Sequence, residues 1–422
     1  MIARRLHGCL TANDGRGDPG EPRRFTTHLV SLSATKIADG LIDPKLVLAW
    51  ILSALGAPGY LIGALVPVRE AGALLPQIAL AQWIQSQRGR KWFWAAGSAL
   101  QGLAALGIAA AAAFLEGAVA GWVILGLLAV LATARASCSA SYKDVLARTV
   151  SKGARGTVSG TAGSMAAAAV LAYALLLGFG IVPRGVWAVS IFVALAGALW
   201  LLAAAVFSTL DEPVESDTKP PEIDPTRLVR PLWEDSELRS YVAARGLLIA
   251  TALAPPFLVM LGNAENDRGL GNLGAFIVAS SAAAILSSYV WGRLSDVSSR
   301  KTLMFSGAIA TAVLAAAAAT GFLTGGLGGA WMAAGFLFVA QLAYEGVRAG
   351  RKTHLTDMDT GGQKAVYTAL SNTLIGILLL AGGLFGVLAD LAGAETVLAV
   401  FAGFSAVAVV VSLGLSEVQD DA

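Results

Sequence analysis

Long apolar runs separated by short polar segments form the dominant pattern along this 422-residue chain. A bilayer core about 30 Å thick requires roughly 20 apolar residues per helix, and these runs are of that length. The second run is the most polar, because Gln77, Gln82 and Gln85 interrupt it. The pattern predicts an all-α membrane protein with twelve transmembrane helices, near residues 47–68, 70–87, 92–115, 118–141, 157–181, 185–208, 241–263, 270–293, 302–323, 328–350, 366–390 and 395–416.

Pairs of positions with arginine or lysine between the apolar runs lie about 210 residues apart and divide the chain into halves. The Arg-Lys pair at 90–91 corresponds to the pair at 300–301, and Lys143 corresponds to Lys352. A repeat of this length in an apolar chain predicts two related six-helix bundles. The predicted units are an N-terminal tail at 1–46, the first bundle at 47–208, a linker rich in proline and acid at 209–240, the second bundle at 241–416 and a short tail at 417–422.

Composition narrows the class of protein further. Hydrophobic residues make up 56% of the chain, charged residues only 14%, and the mean hydropathy is +0.68, which excludes an ordinary soluble enzyme. The sequence offers no pairing of a nucleophile with a base and no phosphate-binding glycine loop, so we expect no enzymatic activity. The two cysteines and three histidines lack the spacing of metal ligands. We therefore expect no cofactor, no metal and no nucleic-acid partner.

The distribution of positive charge predicts the topology. With a cytoplasmic N-terminus, most arginines and lysines fall in the short inner loops, whereas the outer connections carry only Arg69, Arg184 and Arg268. Both termini and the linker are then cytoplasmic, and the expected location is the inner membrane of a bacterium. Residues 29–42 are predicted to be either an amphipathic helix on the inner leaflet or a plain extension of the first span.

The loop after the eighth predicted helix carries the most specific motif, GRLSDVSSRK at residues 292–301. It resembles the signature loop of the major facilitator superfamily, G-x-L-[AS]-D-[RK]-x-G-R-[RK]. Val297 and Ser299 depart from that pattern. The matching residues are Gly292, Leu294, Ser295, Asp296, Arg300 and Lys301.

The first-half copy of this loop is weaker. It keeps Gly89, Arg90 and Lys91, but Gln82 and Ser86 stand where the glycine and the aspartate are expected. In the family, the first-half acid often helps to hold the closed state, so its absence puts that role in doubt here.

The resemblance, which covers residues 45–416, implies two six-helix bundles around a central cavity lined by helices 1, 4, 7 and 10, with access alternating between the two sides. It implies a monomeric secondary transporter of a small organic molecule in the lipid bilayer, coupled to protons, with export favoured over import. The alternative is a non-transporting membrane sensor or assembly factor that uses the tail and the linker to hold a partner.

Ionisable residues inside the bilayer are costly and therefore point to function. Arg135 in the fourth helix and Glu345 in the tenth lie 210 residues apart, the offset of the loop motif. They are predicted to attract one another across a cytoplasmic gate, with Glu345 as a proton acceptor. In the alternative interpretation, Arg348 neutralises Glu345 within its own helix, while Arg135 extends to the lipid headgroups.

Other polar residues are weaker candidates. The resemblance suggests that Asp296 faces the positive N-terminal end of helix 11. Arg69 and Glu70, like Asp390, are expected at the outer membrane surface. Residues that could reach the cavity are Gln341, Tyr344, Tyr367 and Asn372.

Overall fold

The computed structural model describes residues 20–419, apart from 77–79, 81–82, 85–86, 88, 180, 183–184, 214–224, 264–270, 359 and 361–363. All regular secondary structure in the described residues is helical. The first half contains α1 (Glu21–Ile42), a π-helical turn (Pro44–Leu48), α2 (Ala49–Ala54), α3 (Gly59–Leu74), α4 (Lys91–Phe114), α5 (Gly117–Thr149), α6 (Lys152–Gly178) and α7 (Val186–Ser208).

The second half begins after the central linker. It contains α8 (Pro225–Glu234), α9 (Ser236–Leu247), α10 (Ala250–Asn263), α11 (Gly271–Val297), α12 (Ser299–Thr324), α13 (Ala330–Asp357), α14 (Lys364–Gly382), α15 (Leu384–Ala392) and α16 (Ala394–Leu413). Helix α9 continues into α10 after a break at residues 248–249, and α14 continues into α15, so each pair forms one span.

The start of the chain differs from the prediction. Helix α1 packs against α6 and α7 inside the first bundle, and Phe25 and Ala38 are fully buried. Of the two predictions for residues 29–42, the extension of the first span agrees with this packing and the interfacial helix does not. The assignment of residues 21–42 to a tail does not agree with it either. The polar residues of α1 make it too polar to be recognised as a span from hydropathy. They are tolerated inside the bundle because they form hydrogen bonds there; Lys36, for example, donates to the Ser159 carbonyl at 3.1 Å.

The boundary between the first two spans also differs. The predicted span at 47–68 is divided at residues 55–58, where Gly56 has a positive φ of 72° and Pro58 precedes the first turn of α3. Arg69 and Glu70 therefore lie well inside α3, away from the membrane surface where they were expected.

Eight helices of the described chain are long and apolar enough to cross a membrane, or nine if the bent helix at 273–297 is counted as one span. The helices outside this set are the composite of α1, the π turn and α2; α3, which has 16 residues; and α13. Each of them carries charged side chains that line the site described below.

In both halves, the basic pair binds the chain near the end of the sixth helix of the bundle. The Lys91 ammonium donates to the carbonyls of Ser208, the last residue of α7, at 3.2 Å and of Leu210 at 2.6 Å. In the second half, Arg300 donates to the Leu415 carbonyl at 3.3 Å, beyond the end of α16. The contacts join corresponding segments of the two halves, although Lys91 corresponds to Lys301 and not to Arg300 in the predicted repeat.

At one end of the molecule, termed the Asp390 end, the halves are in contact. Asp390 accepts hydrogen bonds from the backbone N–H groups of Gly59 at 2.7 Å and Tyr60 at 2.9 Å. One turn further in, α3 and α15 approach so closely that a Cβ on Gly63 would lie 2.6 Å from the Cα of Gly386. This contact closes the space between the halves at that end.

Asp390→Asn should weaken this closure. The amide keeps the shape of the carboxylate but has one acceptor oxygen in place of two. It also lacks the negative charge that is attracted to the partial positive charge at the N-terminal end of α3. We expect the closed arrangement to lose about 0.3–2 kcal/mol of stability relative to the open one. This loss should appear as faster labelling of a cysteine that replaces the cavity residue Ser280. The matched control is Glu116→Gln, because Glu116 precedes α5 without a side-chain capping bond. Equal labelling rates in both variants would contradict the role of Asp390.

Candidate functional site

A cavity of about 400 Å³ lies between the two halves. Its wall combines residues from α1 and the π turn, α3 and α5 of the first half with residues from α11 and α13 of the second. Its polar lining consists of Asp39, Asp43, Lys45, Arg69, Glu70, Arg135, Ser280, Gln341, Tyr344, Glu345 and Arg348.

The π turn places Lys45 in this cavity. Because Pro44 has no N–H, the helix cannot continue regularly, and the N–H groups of Leu46, Val47 and Leu48 all bond to the Asp43 carbonyl. The Asp43 carboxylate also accepts from the Lys45 N–H at 2.8 Å. A wider turn of this kind commonly marks functional positions in helices.

Lys45 bridges the two halves. Its ammonium lies 3.7 Å from the ring centroid of Tyr344 on α13, which is a cation–π contact. Glu70 on α3 and Asp43 both attract the ammonium group of Lys45. Lys45 therefore connects the acidic wall of the first half to one aromatic ring of the second.

Asp39 is the centre of an ion-pair cluster in the first half. Its carboxylate accepts from Arg69 at 3.0 Å and forms a second salt bridge with Arg135. The three side chains come from α1, α3 and α5 and are mostly buried. One carboxylate thus pairs with two guanidinium groups where water is scarce, which leaves the three side chains with a net positive charge. Charges in such a place are tolerated only when paired.

Arg135 and Glu345, predicted to attract one another, line the same cavity but do not pair in this conformation. Arg135 is bound to Asp39, while Glu345 accepts from Arg348 at 3.4 Å and from Gln341 at 3.2 Å. The contact between Glu345 and Arg348 agrees with the alternative interpretation of that residue. Arg135, in contrast, does not extend to the lipid headgroups, because Asp39 holds it inside the bundle.

The remaining cavity candidates behave differently. Gln341 and Tyr344 line the cavity, as expected. Asn372 lies behind the wall, where its side-chain oxygen accepts from Arg245 at 3.0 Å. The Tyr367 hydroxyl donates to Asp235 at 2.8 Å and so connects α14 to the start of α9 instead of reaching the cavity.

The signature loop lies at the end of the molecule opposite Asp390, termed the Asp296 end. The Ser298 hydroxyl caps α12 by accepting from the Lys301 N–H at 3.1 Å, and Arg300 pairs with Glu417 at 3.4 Å. A Cβ at Gly292 would meet open space, and Asp296 is exposed. For Asp296, the described residues show neither a hydrogen bond nor an ion pair, and the segment directly before α14 lies outside the described residues.

The corresponding first-half residues are more firmly held. Arg90 is buried and forms a salt bridge with Asp144 on α5. The Lys91 N–H donates to Glu212 at 2.9 Å, beyond the end of α7. Gly89 precedes them at the start of α4. The basic residues of both loops thus bind within their own halves.

Among the solved structures that this chain resembles are two of one transporter. The nucleoside transporter NupG superposes with a TM-score of 0.69 in a mutant form and 0.65 in another structure, at 13% and 14% sequence identity. Each comparison covers 92% of this chain, and 99% and 98% of the respective NupG chains. No protein-family model and no curated protein sequence matches the chain.

The chain has the fold of these two transporter structures. This fold and the apolar helices make it an integral membrane protein. The all-helical architecture confirms the predicted fold class, with the first helix beginning well before residue 47. Within the described residues, no group of three histidine, cysteine, aspartate or glutamate side chains is placed to hold a metal ion.

Sequence reasoning missed the residues at the centre of the site. Lys36, Asp39 and Asp43 follow the spacing of three and four residues that marks one face of a helix. That pattern was available in the sequence, but the residues were assigned to a tail because α1 is too polar for a hydropathy criterion. A charged helical face directly before an apolar run is the signal that identifies such a span.

The side chains of Asp39 and Arg135 should be energetically coupled. A double-mutant cycle with Asp39→Asn and Arg135→Gln should give a coupling energy of about 0.5–3 kcal/mol, since removing either partner leaves the other charge unpaired. The measurement is reversible unfolding of the purified protein in detergent. The comparison cycle is Arg135→Gln with Glu345→Gln, which should be additive within about 0.5 kcal/mol. Additivity in the first cycle would show that the salt bridge contributes nothing.

Proposed function

We propose that the protein is a secondary active transporter that moves a small organic molecule across the membrane by alternating access. The observation that carries this proposal is the polar cavity between the halves, lined by charged residues of both and closed at the Asp390 end. Such charges inside a membrane protein are expensive, and a cavity that binds a polar solute accounts for them. The structural resemblance to a nucleoside transporter supports the same function.

The second conformation follows from the contacts at the two ends. In the present one, Asp390 connects the halves at its end, while Asp296 at the other end is exposed. We propose that access switches when the Asp390 contact separates and Asp296 meets the N-terminal end of α14. Each contact places a carboxylate at a helix N-terminus, so the two contacts stabilise their conformations by similar free energies. The two conformations of the carrier are then similarly populated.

Arg135 and Glu345 are proposed to approach one another when the Asp296 end closes. Arg135 would then leave Asp39, which keeps Arg69 as its partner. The carboxylate of Glu345 is proposed to exchange a proton as its partner changes from Arg348 to Arg135, and this exchange would couple transport to a proton gradient. Export is proposed as the direction.

The topology is part of the same proposal. Both termini are placed in the cytoplasm of a bacterial cell, with the Asp296 end facing inward, because the inner loops carry the excess of basic residues. The carrier is proposed to work as a monomer, since one chain contains both halves of the cavity.

A cysteine at Ser280, which lines the cavity, should be accessible from both sides of the membrane in turn. The host protein has Cys9 and Cys138 replaced by serine, and a membrane-impermeant thiol reagent is applied to right-side-out and inside-out vesicles. We expect labelling from both sides, with Asp390→Asn shifting the ratio toward the outer side. The control is Lys143→Cys, which should react from the cytoplasmic side alone. Labelling of Ser280→Cys from one side only, in every variant, would contradict alternating access.

Glu345→Gln should make transport independent of the proton gradient. The assay is uptake into inside-out vesicles with and without an acidic lumen, beginning with radiolabelled uridine because the structural neighbour transports nucleosides. Once a compound accumulates, the gradient should stimulate the wild type and the Glu116→Gln control but not Glu345→Gln. An unchanged response in Glu345→Gln would assign proton coupling to another group.

A further inference from the structure

A second, smaller cavity of about 70 Å³ adjoins the central one. The two share Glu70, Tyr344 and Arg348 in their walls. The small cavity is also lined by Arg245 of α9 and Arg351 of α13, so three guanidinium groups face it against the single acid Glu70. Over both cavities, the described residues contribute six cationic side chains and four acidic ones.

Most of these cations have an acidic partner. Arg69 and Arg135 share Asp39, and Arg348 pairs with Glu345. Lys45 is attracted by Glu70 and Asp43. In the part of the chain that the structure describes, Arg245 and Arg351 form no salt bridge, and both face the small cavity. Glu70, which also lines it, attracts Arg351 as well as Lys45 and Arg69, so this one acid is shared among several cations.

Arg245 is buried, with only 7% of its surface exposed. Its two terminal nitrogens donate to neutral oxygens, Ser371 Oγ at 2.6 Å and Asn372 Oδ1 at 3.0 Å. Its Nε is buried without a hydrogen-bond partner. These neutral contacts hold the guanidinium group in position but leave its charge uncompensated.

The positive charge of Arg351 repels that of Arg245. Two like charges beside a cavity of low dielectric constant destabilise the protein unless an anion joins them. A guanidinium group presents its donors in a planar fork that matches a carboxylate or a phosphate, and charge-assisted bonds of this kind are the strongest hydrogen bonds in proteins. A cavity of this volume suits one such group, while a drug-sized ligand usually occupies about 300–1,000 Å³.

We propose that Arg245 and Arg351, with Arg348 at the junction of the two cavities, bind an anionic oxygen group of the transported molecule. The substrate is accordingly an organic anion, a carboxylate or a phosphate ester, whose uncharged part occupies the central cavity. This inference rests on the proposed transport function and specifies its substrate class.

The test uses the smallest probes that carry each chemistry, acetate and inorganic phosphate. The thermal unfolding of the purified protein in detergent is measured while each probe replaces chloride at constant ionic strength. At least one probe should raise the unfolding temperature of the wild type, and the probe that does so identifies the group. Arg351→Gln and Arg245→Gln should each weaken the apparent affinity by about ten- to a hundredfold, as expected for loss of a charged hydrogen-bond donor.

Lys352→Gln is the matched control, because Lys352 is the exposed neighbour of Arg351 and lines neither cavity. It should keep the wild-type response. If Arg245→Gln does not fold, Arg351→Gln decides, since among the described residues the Arg351 side chain makes no hydrogen bond or salt bridge that the substitution would break. Stabilisation of all variants alike, or loss of the response in Lys352→Gln as well, would overturn the assignment.

Absence of stabilisation of the wild type by both probes would also overturn it. That result would leave the transport proposal intact as long as Ser280→Cys is labelled from both sides. Labelling of Ser280→Cys from one side only would contradict the transport proposal. The anion site would then be judged by the unfolding measurements alone. The two failures are therefore distinguishable.

Discussion

The pairing of charges inside the bilayer is the constraint on which the rest of this structure depends. Asp39 pairs with both Arg69 and Arg135, and these salt bridges allow the ionised side chains to lie between apolar helices. The cluster in turn determines where α1, α3 and α5 can pack, because each contributes one member. The cavity exists because these groups keep polar surface at the centre of the first half.

The helices that line the cavity carry charged residues toward it, and the helices behind them are apolar. Helices α4 and α7, like α12 and α16 in the other half, pack tightly with one another and hold the scaffold. Helices α1 and α13 are too polar to meet a hydropathy criterion and line the site. The irregular backbone at 43–48 and 248–249 lies in the first helix of each bundle, where protein and cavity surround it, which is where a membrane protein tolerates broken helices.

The sequence predicted the architecture better than the site. Twelve spans, two halves and the loop at 292–301 could be recognised because length, apolar composition and the repeat of basic pairs are local properties of the chain. The first span could not be placed correctly, since the partners that neutralise Asp39 and Lys36 come from α3, α5 and α6, far along the sequence. Arg135 was identified as important from its position, but its partner depended on that same missed helix. Asp390 was recognised as lying at an outer end, whereas its bonds to Gly59 and Tyr60 require knowledge of how the halves meet.

The central claim is that the two ends of one cavity open in alternation. Distances between spin labels test it most directly, with one pair at Glu116 and Ala392 on the Asp390 end and another at Lys143 and Lys352 on the Asp296 end, all four being exposed positions. The account predicts two populations in proteoliposomes: one with a short first distance and a long second distance, and one with the reverse. Two distances that lengthen and shorten together, or that stay fixed while pH and candidate substrates are varied, would contradict it.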